Sequence, residues 1–273
     1  DSIYFLSSES AALDTIGAEF VRDVEPGEIV TIVDGQIYSD WIYHTDIKSR
    51  CIFEYIYFAR TDSIIDGQSV YSSRVKAGSI LADKYPVEAD LIVGVPESGL
   101  AAAVGYSQGS NIPYGMAFYK NSYVGRTFIK PKQNERTAGV QAKLNVIRDV
   151  VKGKRIVMVD DSIVRGTTIR NIVMMLKDAG ALEVHVRISS PPFKHPCYYG
   201  TDVPSSENLV AVNNTIEEIR ESINADSLGF LEIEDLGQLC PGLDYCDACF
   251  TGKYTGGIPS DPMKTSSCSS KVV

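Results

Sequence analysis

The chain has 273 residues, 44% of them hydrophobic and 22% charged, and carries a formal net charge of −9. Those values suit one large globular core with part of a second, and the negative balance argues against a general nucleic-acid binder. No apolar run approaches the length of a membrane-spanning helix, and the first twenty residues lack the basic and long apolar segments of a secretory signal. The expected compartment is therefore the cytoplasm.

In chain order, the first distinctive block is 50–60 (RCIFEYIYFAR), which contains Cys51. Residues 90–95 are apolar enough to predict a buried strand, and Pro96-Glu97-Ser98-Gly99 then leads into a helix of small residues from Leu100 to about Gln108. By itself this is a plain βα turn. Residues 121–137 show no periodicity and predict a long loop. They open a basic stretch: between Lys120 and Arg155, ten Lys and Arg stand against two acids, Glu135 and Asp149. Such a run is either a solvated face or, placed ahead of the next motif, an anion-binding segment.

Residues 155–168 say most. The apolar run 156–159 predicts a strand buried on both faces of a parallel sheet, and Ile169, Ile172, Val173 and Leu176 then recur at helical spacing up to a stop at Gly180. Between strand and helix, Asp160 and Asp161 stand at the carboxyl end of the strand, where ligands of open α/β sheets bind. Gly166 allows close backbone approach, while Thr167 and Thr168 offer hydroxyls and amides at a helix N-terminus whose dipole favours anions. A phosphate monoester fits the turn, and a diol fits the carboxylates, directly or through a hydrated magnesium ion. Together they suggest a ribose 5-phosphate. An acidic N-cap is the plainer reading of Asp-Asp alone; the attached Arg165-Gly166-Thr167-Thr168 favours the phosphate site.

Further on, 183–190 predicts a strand with His185 as a packed or edge residue, and 215–224 predicts a short amphipathic helix with Ile216, Ile219 and Ile223 on one face. Six cysteines in a chain expected to be cytosolic argue against disulfides. Cys246-Asp247-Ala248-Cys249 is a short-spaced pair of the kind that grips a metal, and it needs two further ligands from elsewhere. From Thr255 onward Gly, Pro, Ser and Thr dominate, which predicts a mobile tail over 255–273.

The run 155–168 resembles the phosphoribosyl diphosphate signature of the type I phosphoribosyltransferases. From about Ser7 to Tyr254 the chain is also similar to the glutamine phosphoribosylpyrophosphate amidotransferase family, most strongly at 50–60, 123–131 (YVGRTFIKP), 143–145 (KLN), the phosphate loop and 186–200 (VRISSPPFKHPCYYG). The resemblance implies an α/β architecture. Residues 41–254 would form a type I phosphoribosyltransferase fold with a mostly parallel central sheet, and residues 1–40 a remnant of an N-terminal nucleophile glutaminase domain. The implied reaction is displacement of diphosphate from C1 of 5-phosphoribosyl 1-diphosphate by ammonia, giving 5-phosphoribosylamine for purine synthesis.

Within that scheme Asp160 and Asp161 orient the ribose and, with Ser98, hold magnesium. Pro96, Glu97 and Gly99 complete a diphosphate loop, and Ser162, Val164, Arg165, Gly166, Thr167 and Thr168 cradle the 5-phosphate. Arg126, Lys130 and Arg136 would meet the diphosphate from a closing loop, with Lys143 further along. The same resemblance nominates Cys51 and Cys197 to join Cys246 and Cys249 around a four-iron four-sulfur (4Fe-4S) cluster, with His195 as a neighbour; structural zinc and free thiols are the competing readings. Purine nucleotides are the expected feedback inhibitors, and a homo-oligomer is the expected state.

The sequence also departs from the family. The family's glutaminase nucleophile is an N-terminal cysteine, whereas this sequence begins Asp1-Ser2-Ile3 and its first cysteine is Cys51. Residues 7–35 resemble only the end of that domain, so glutamine hydrolysis is not expected of this polypeptide alone, and Ile29, Val30 and Ile32 are expected to be partly exposed. Thr61 and Val146 stand where the family commonly has proline. Two other functions compete. A ligand-sensing regulator on this fold would need a helix-turn-helix and a basic surface, and a salvage phosphoribosyltransferase would leave 50–60 and the cysteine set unexplained.

Overall fold

A computed structural model describes residues 3–45, 48–121, 144–201, 203 and 205–258. A short helix α1 (Ser10–Thr15) precedes an antiparallel hairpin of β1 (Glu28–Val33) and β2 (Gln36–Trp41). Strand β3 (Arg50–Cys51) runs into one π-helical turn, Glu54–Phe58, and the ribbon β4 (Ile64–Ile65) and β5 (Gln68–Ser69) opens helix α2 (Val70–Lys84). The hydroxyl of Ser69 caps α2 by accepting from the Ser72 amide. Then follow β6 (Leu91–Gly94), α3 (Gly99–Ser110), β7 (Phe118–Lys120), β8 (Leu144–Val146), α4 (Arg148–Val151), β9 (Arg155–Asp160), α5 (Thr167–Asp178) and β10 (Glu183–Ile188). The described chain closes with α6 (Val210–Asn213), α7 (Ile216–Ser222), β11 (Ser227–Phe230), a 3-10 turn Ile233–Gln238, β12 (Tyr245–Cys246) and α8 (Ala248–Thr251).

The central sheet has the order β11-β10-β9-β6, and every neighbouring pair is parallel. Parallel neighbours need crossovers, which place helices on both faces and so make the middle strand apolar throughout. Strand β9 shows this residue by residue. Ile156 and Met158 pack with Ile169, Ile172 and Leu176 of α5, while Val157 and Val159 face the opposite way, into the core that holds Leu81 of α2 and Ala102 of α3. All four are fully buried, each contributing roughly 1.5–3 kcal/mol of transfer free energy against the entropy of ordering it.

The strands expected at 90–95, 156–159 and 183–190 are β6, β9 and β10, and Gly180 follows α5 with φ +99°. The helix expected over 215–224 is shorter, and its apolar face differs. Ile219 and Ile223 are buried, but Ile216 is 41% exposed because it directly follows the cap residue Thr215, at the solvent end of the first turn. Thr215 and Glu218 form a reciprocal capping box there. The hairpin bears out the exposure expected of it: Ile29 and Ile32 are exposed and Val30 is half-buried. Ahead of it, α1 is fastened to the main body. Glu9 Oε2 accepts from the Arg60 amide and the Ser63 hydroxyl, both at 2.8 Å, and Ser10 Oγ accepts from the Ile64 amide at 2.8 Å.

Candidate active site and cysteine pocket

The carboxyl ends of β6 and β9 come together at Asp161. The Ser98 hydroxyl, at the start of α3, does not cap its own helix but donates to Asp161 Oδ1 at 2.5 Å. The neighbouring Ser162 hydroxyl donates to the other oxygen, Oδ2, also at 2.5 Å. Gly99 makes this approach possible: a Cβ there would lie 2.5 Å from the Val159 carbonyl oxygen, so only a bare backbone lets α3 start against the end of β9. Asp160 is equally buried, with Oδ1 accepting from the Asp161 amide at 2.9 Å. Burial, followed by the adjacent charge of Asp161, pushes the Asp160 carboxyl well above the usual carboxylate range, and the Asp161 amide offsets part of that rise.

Beyond the acids, Gly166 takes φ +78° as the residue before α5, a left-handed conformation that costs roughly 1–2 kcal/mol for other residues. No side chain caps α5, and Thr167 and Thr168 are exposed, so the first turn presents its amides and hydroxyls outward. Arg165 is exposed as well, whereas the Val164 carbonyl is already taken by the Val210 amide at 2.9 Å, which fastens the loop to α6. In the turn after β6, Pro96 is half-buried, and Glu97 is exposed and pairs with Lys120 Nζ at 3.0 Å. Arg126, Lys130, Arg136 and Lys143 lie outside the described residues.

The cysteines gather around the start of the 50–60 block. Parallel pairing of β12 with β3 sets Cys246 against Cys51, and a pocket of about 560 Å³ is lined by Cys51, Cys197, Cys246 and Cys249 together. Among the described residues, no three His, Cys, Asp or Glu side chains converge as single-ion ligands. Burial raises the Cys51 thiol to about 11, although the residue opens onto the pocket and is exposed by area: the protein packed around the sulfur, not the lack of an opening, supplies the cost. Burial likewise raises Cys249, and the three other cysteines of the set add to it. Cys197 differs. Burial alone would raise it, but backbone amides outweigh that and lower it, among them those of Tyr199 at 3.5 Å and Thr201 at 3.4 Å from its sulfur.

Beneath the pocket, Phe193 lies 5.1 Å from Phe53 and 5.0 Å from Phe250, edge to face, so one aromatic cluster binds the 50–60, 186–200 and 246–250 segments together. His195 donates its amide to the Cys249 carbonyl at 3.0 Å. Cys240 is buried away from the pocket lining. The sequence reading missed Arg74 of α2, which is 3% exposed and donates to the Tyr55 and Ala59 carbonyls and to Thr61 Oγ1. The threonine that departs from the family's usual proline therefore supplies a side-chain partner to a buried guanidinium. An arginine on the buried face of α2, beside Ser73 and a run of small and apolar residues, was the available signal.

A family model described as "Phosphoribosyl transferase domain" matches residues 67–197. The chain is 51% identical over 265 residues to an amidophosphoribosyltransferase of Archaeoglobus fulgidus, covering 96% of this chain and 58% of that protein. Over these residues the chain is similar to amidophosphoribosyltransferases at about half of its positions. A Bacillus subtilis amidophosphoribosyltransferase is 51% identical over 267 residues, covering 95% of this chain and 56% of the relative. The solved structure of a glutamine phosphoribosylpyrophosphate amidotransferase from B. subtilis complexed with ADP and GMP superposes with a TM-score of 0.84 at 50% identity, covering 93% of this chain and 57% of that one. The fold is thus that of a type I phosphoribosyltransferase, and the chain spans a little over half the length of the curated amidophosphoribosyltransferases it matches.

Proposed function

We propose that this chain carries the phosphoribosyl-transfer half of an amidophosphoribosyltransferase, joining ammonia to C1 of 5-phosphoribosyl 1-diphosphate and releasing diphosphate. The observation that carries the reading is the meeting of Ser98 with Asp161, which joins two βα turns at one end of the sheet beside an uncapped helix start. The Gly166–Thr168 amides and hydroxyls take the 5-phosphate, and the carboxylates beside them take the ribose hydroxyls. With the phosphate end fixed, C1 is presented to the nucleophile, and no nucleophilic side chain is required. The negative charge of Asp161 favours the positive charge that grows on the sugar as the C1–oxygen bond breaks. Two carboxylates and a hydroxyl are a hard oxygen donor set that suits magnesium completed by substrate oxygens and water. When bound by Ser98, Asp160 and Asp161, the ion supplies charge neutralisation to the leaving diphosphate.

For the cysteine pocket the reading carried forward is a 4Fe-4S cluster, the group that the resemblance implies, because the four nominated cysteines line one space; structural zinc is the competing reading, since four thiolates suit it too. Amide donors at Cys197 favour the thiolate that ligation needs. Such a group would supply a crosslink between distant parts of the chain. Residues 1–40 are proposed as the border of a glutaminase domain, whose remaining residues would cover Ile29 and Ile32. Purine nucleotides are the proposed inhibitors, competing for the same phosphate cradle. A homo-oligomer in the cytoplasm completes the proposal.

The deciding assay measures diphosphate release from 5-phosphoribosyl 1-diphosphate with ammonium, glutamine or a purine base as acceptor. Release with ammonium is expected. Release with a purine base and none with ammonium would make this a salvage enzyme. Iron and acid-labile sulfide in anaerobically purified protein are expected in about equal amounts; zinc without sulfide refutes the cluster.

A further inference from the structure

Residues 252–258 run from the rim of the cysteine pocket along the loop that carries Cys197. Helix α8 stops at Gly252, and the chain that follows returns to the Cys197 loop. Tyr254 lines the pocket, its hydroxyl donating to the Pro196 carbonyl at 2.7 Å and its ring lying 4.9 Å from that of Tyr198. Two residues later a single phenol holds the backbone of two successive residues: Tyr199 Oη accepts from the Gly256 amide at 3.0 Å and donates to the Gly257 carbonyl at 2.9 Å. Tyr199 also lines the pocket, and its own amide is one of the donors to Cys197 Sγ. No apolar burial secures the far part of the segment, since residues 255–258 are all exposed.

We infer that residues 252–258 are a strap latched by Tyr199, and that opening of this strap sets the rate at which small electrophiles, oxidants and chelators reach Cys197 and Cys246, the two half-buried members of the set. Two solvent-side hydrogen bonds have small net worth, so release is a local event well short of unfolding. The inference needs the four cysteines to share one pocket and does not depend on what they bind. Its link to the proposed cluster is that the same strap would shield that group.

The test compares the full chain, as purified, with Tyr199→Phe, which keeps the ring and removes both hydrogen bonds to the strap. Both are exposed to air and iodoacetamide, and alkylation is followed peptide by peptide by mass spectrometry. Alkylation of Cys197 and Cys246 is expected to accelerate about fivefold, with Cys240 unchanged, because the latter is buried outside the pocket. Tyr254→Phe, which loses only the bond to Pro196, is expected to give a smaller rise at the same two cysteines. Unchanged rates overturn the inference, and so does an equal rise at Cys240, which would report general loosening. Iron and sulfide content of the parent protein tests the cluster separately. A chain without either whose Cys197 still reacts faster in Tyr199→Phe refutes the cluster and supports the strap; a loaded chain with unchanged rates refutes the strap alone.

Discussion

At the scale of single residues, Asp160 and Asp161 are chemically unequal although adjacent. Asp161 receives two hydroxyl donors at 2.5 Å, whereas burial and its neighbour's charge push Asp160 strongly toward the neutral acid. Replacing Asp161 by Asn should therefore lower kcat with ammonium by about 100-fold or more at little cost in stability, because a charge facing the growing sugar cation is lost. Asp160→Asn removes a buried group that is costly to ionise. It should raise the thermal midpoint at pH 7 by roughly 2–4 °C while lowering activity, and a lower midpoint would show that the Asp160 charge is stabilising after all. The pair itself was legible in the sequence, since two acids between an apolar run and Arg-Gly-Thr-Thr have few other uses. Their division of labour was not, because it depends on Ser98 arriving from beyond another strand to donate to one acid and not the other.

At the scale of elements, the start of α3 is set by Gly99 against β9, where a methyl group would meet the Val159 carbonyl at 2.5 Å. Gly99→Ala should cost about 1–3 kcal/mol in urea denaturation and reduce activity further by moving Ser98 off Asp161. Strand β10 carries a second testable element. His185 lies between Ser227 Oγ at 3.0 Å and Glu183 Oε2 at 2.9 Å, and its pKa is lowered by burial against the opposing pull of Glu183, with Arg187 adding to the fall. The unfolded chain then binds this proton more readily than the folded one. Stability is full above the ordinary histidine value of 6.5 and declines as pH falls from there toward the depressed folded value. Urea midpoints measured at pH 7.5 and 5.5 should drop more in the parent than in His185→Gln; equal drops would remove His185 from the account. Helices and strands with strict periods, β9 and α5 above all, were readable from their apolar spacing. Helix α2 was not singled out, because Arg74 and several serines interrupt its apolar face and find partners only in the folded chain.

At the scale of the whole molecule, three segments far apart in sequence meet around one pocket, and neither composition nor spacing could join them. Resemblance nominated the four cysteines; the pairing of β3 with β12 and the Phe53, Phe193 and Phe250 cluster account for their meeting. If the proposed cluster fills the pocket, its removal by an iron chelator under anaerobic conditions should lower the thermal midpoint by at least several degrees. A scan that superposes before and after chelation would contradict a structural role. The exposed apolar hairpin marks the opposite case: β1 and β2 satisfy each other's hydrogen bonds, yet their side chains find little to cover them within the described residues.

The pairing of β3 with β12 also fixes an order of events during synthesis. Cys51 emerges from the ribosome early, but the strand it lies beside is made only after the entire central sheet has been translated. Until then Cys51 and Cys197 are separate thiols with no shared enclosure. Any group that requires all four sulfurs must enter a finished chain, so a protein stalled before Cys246 leaves the ribosome can assemble its sheet and still never receive that group.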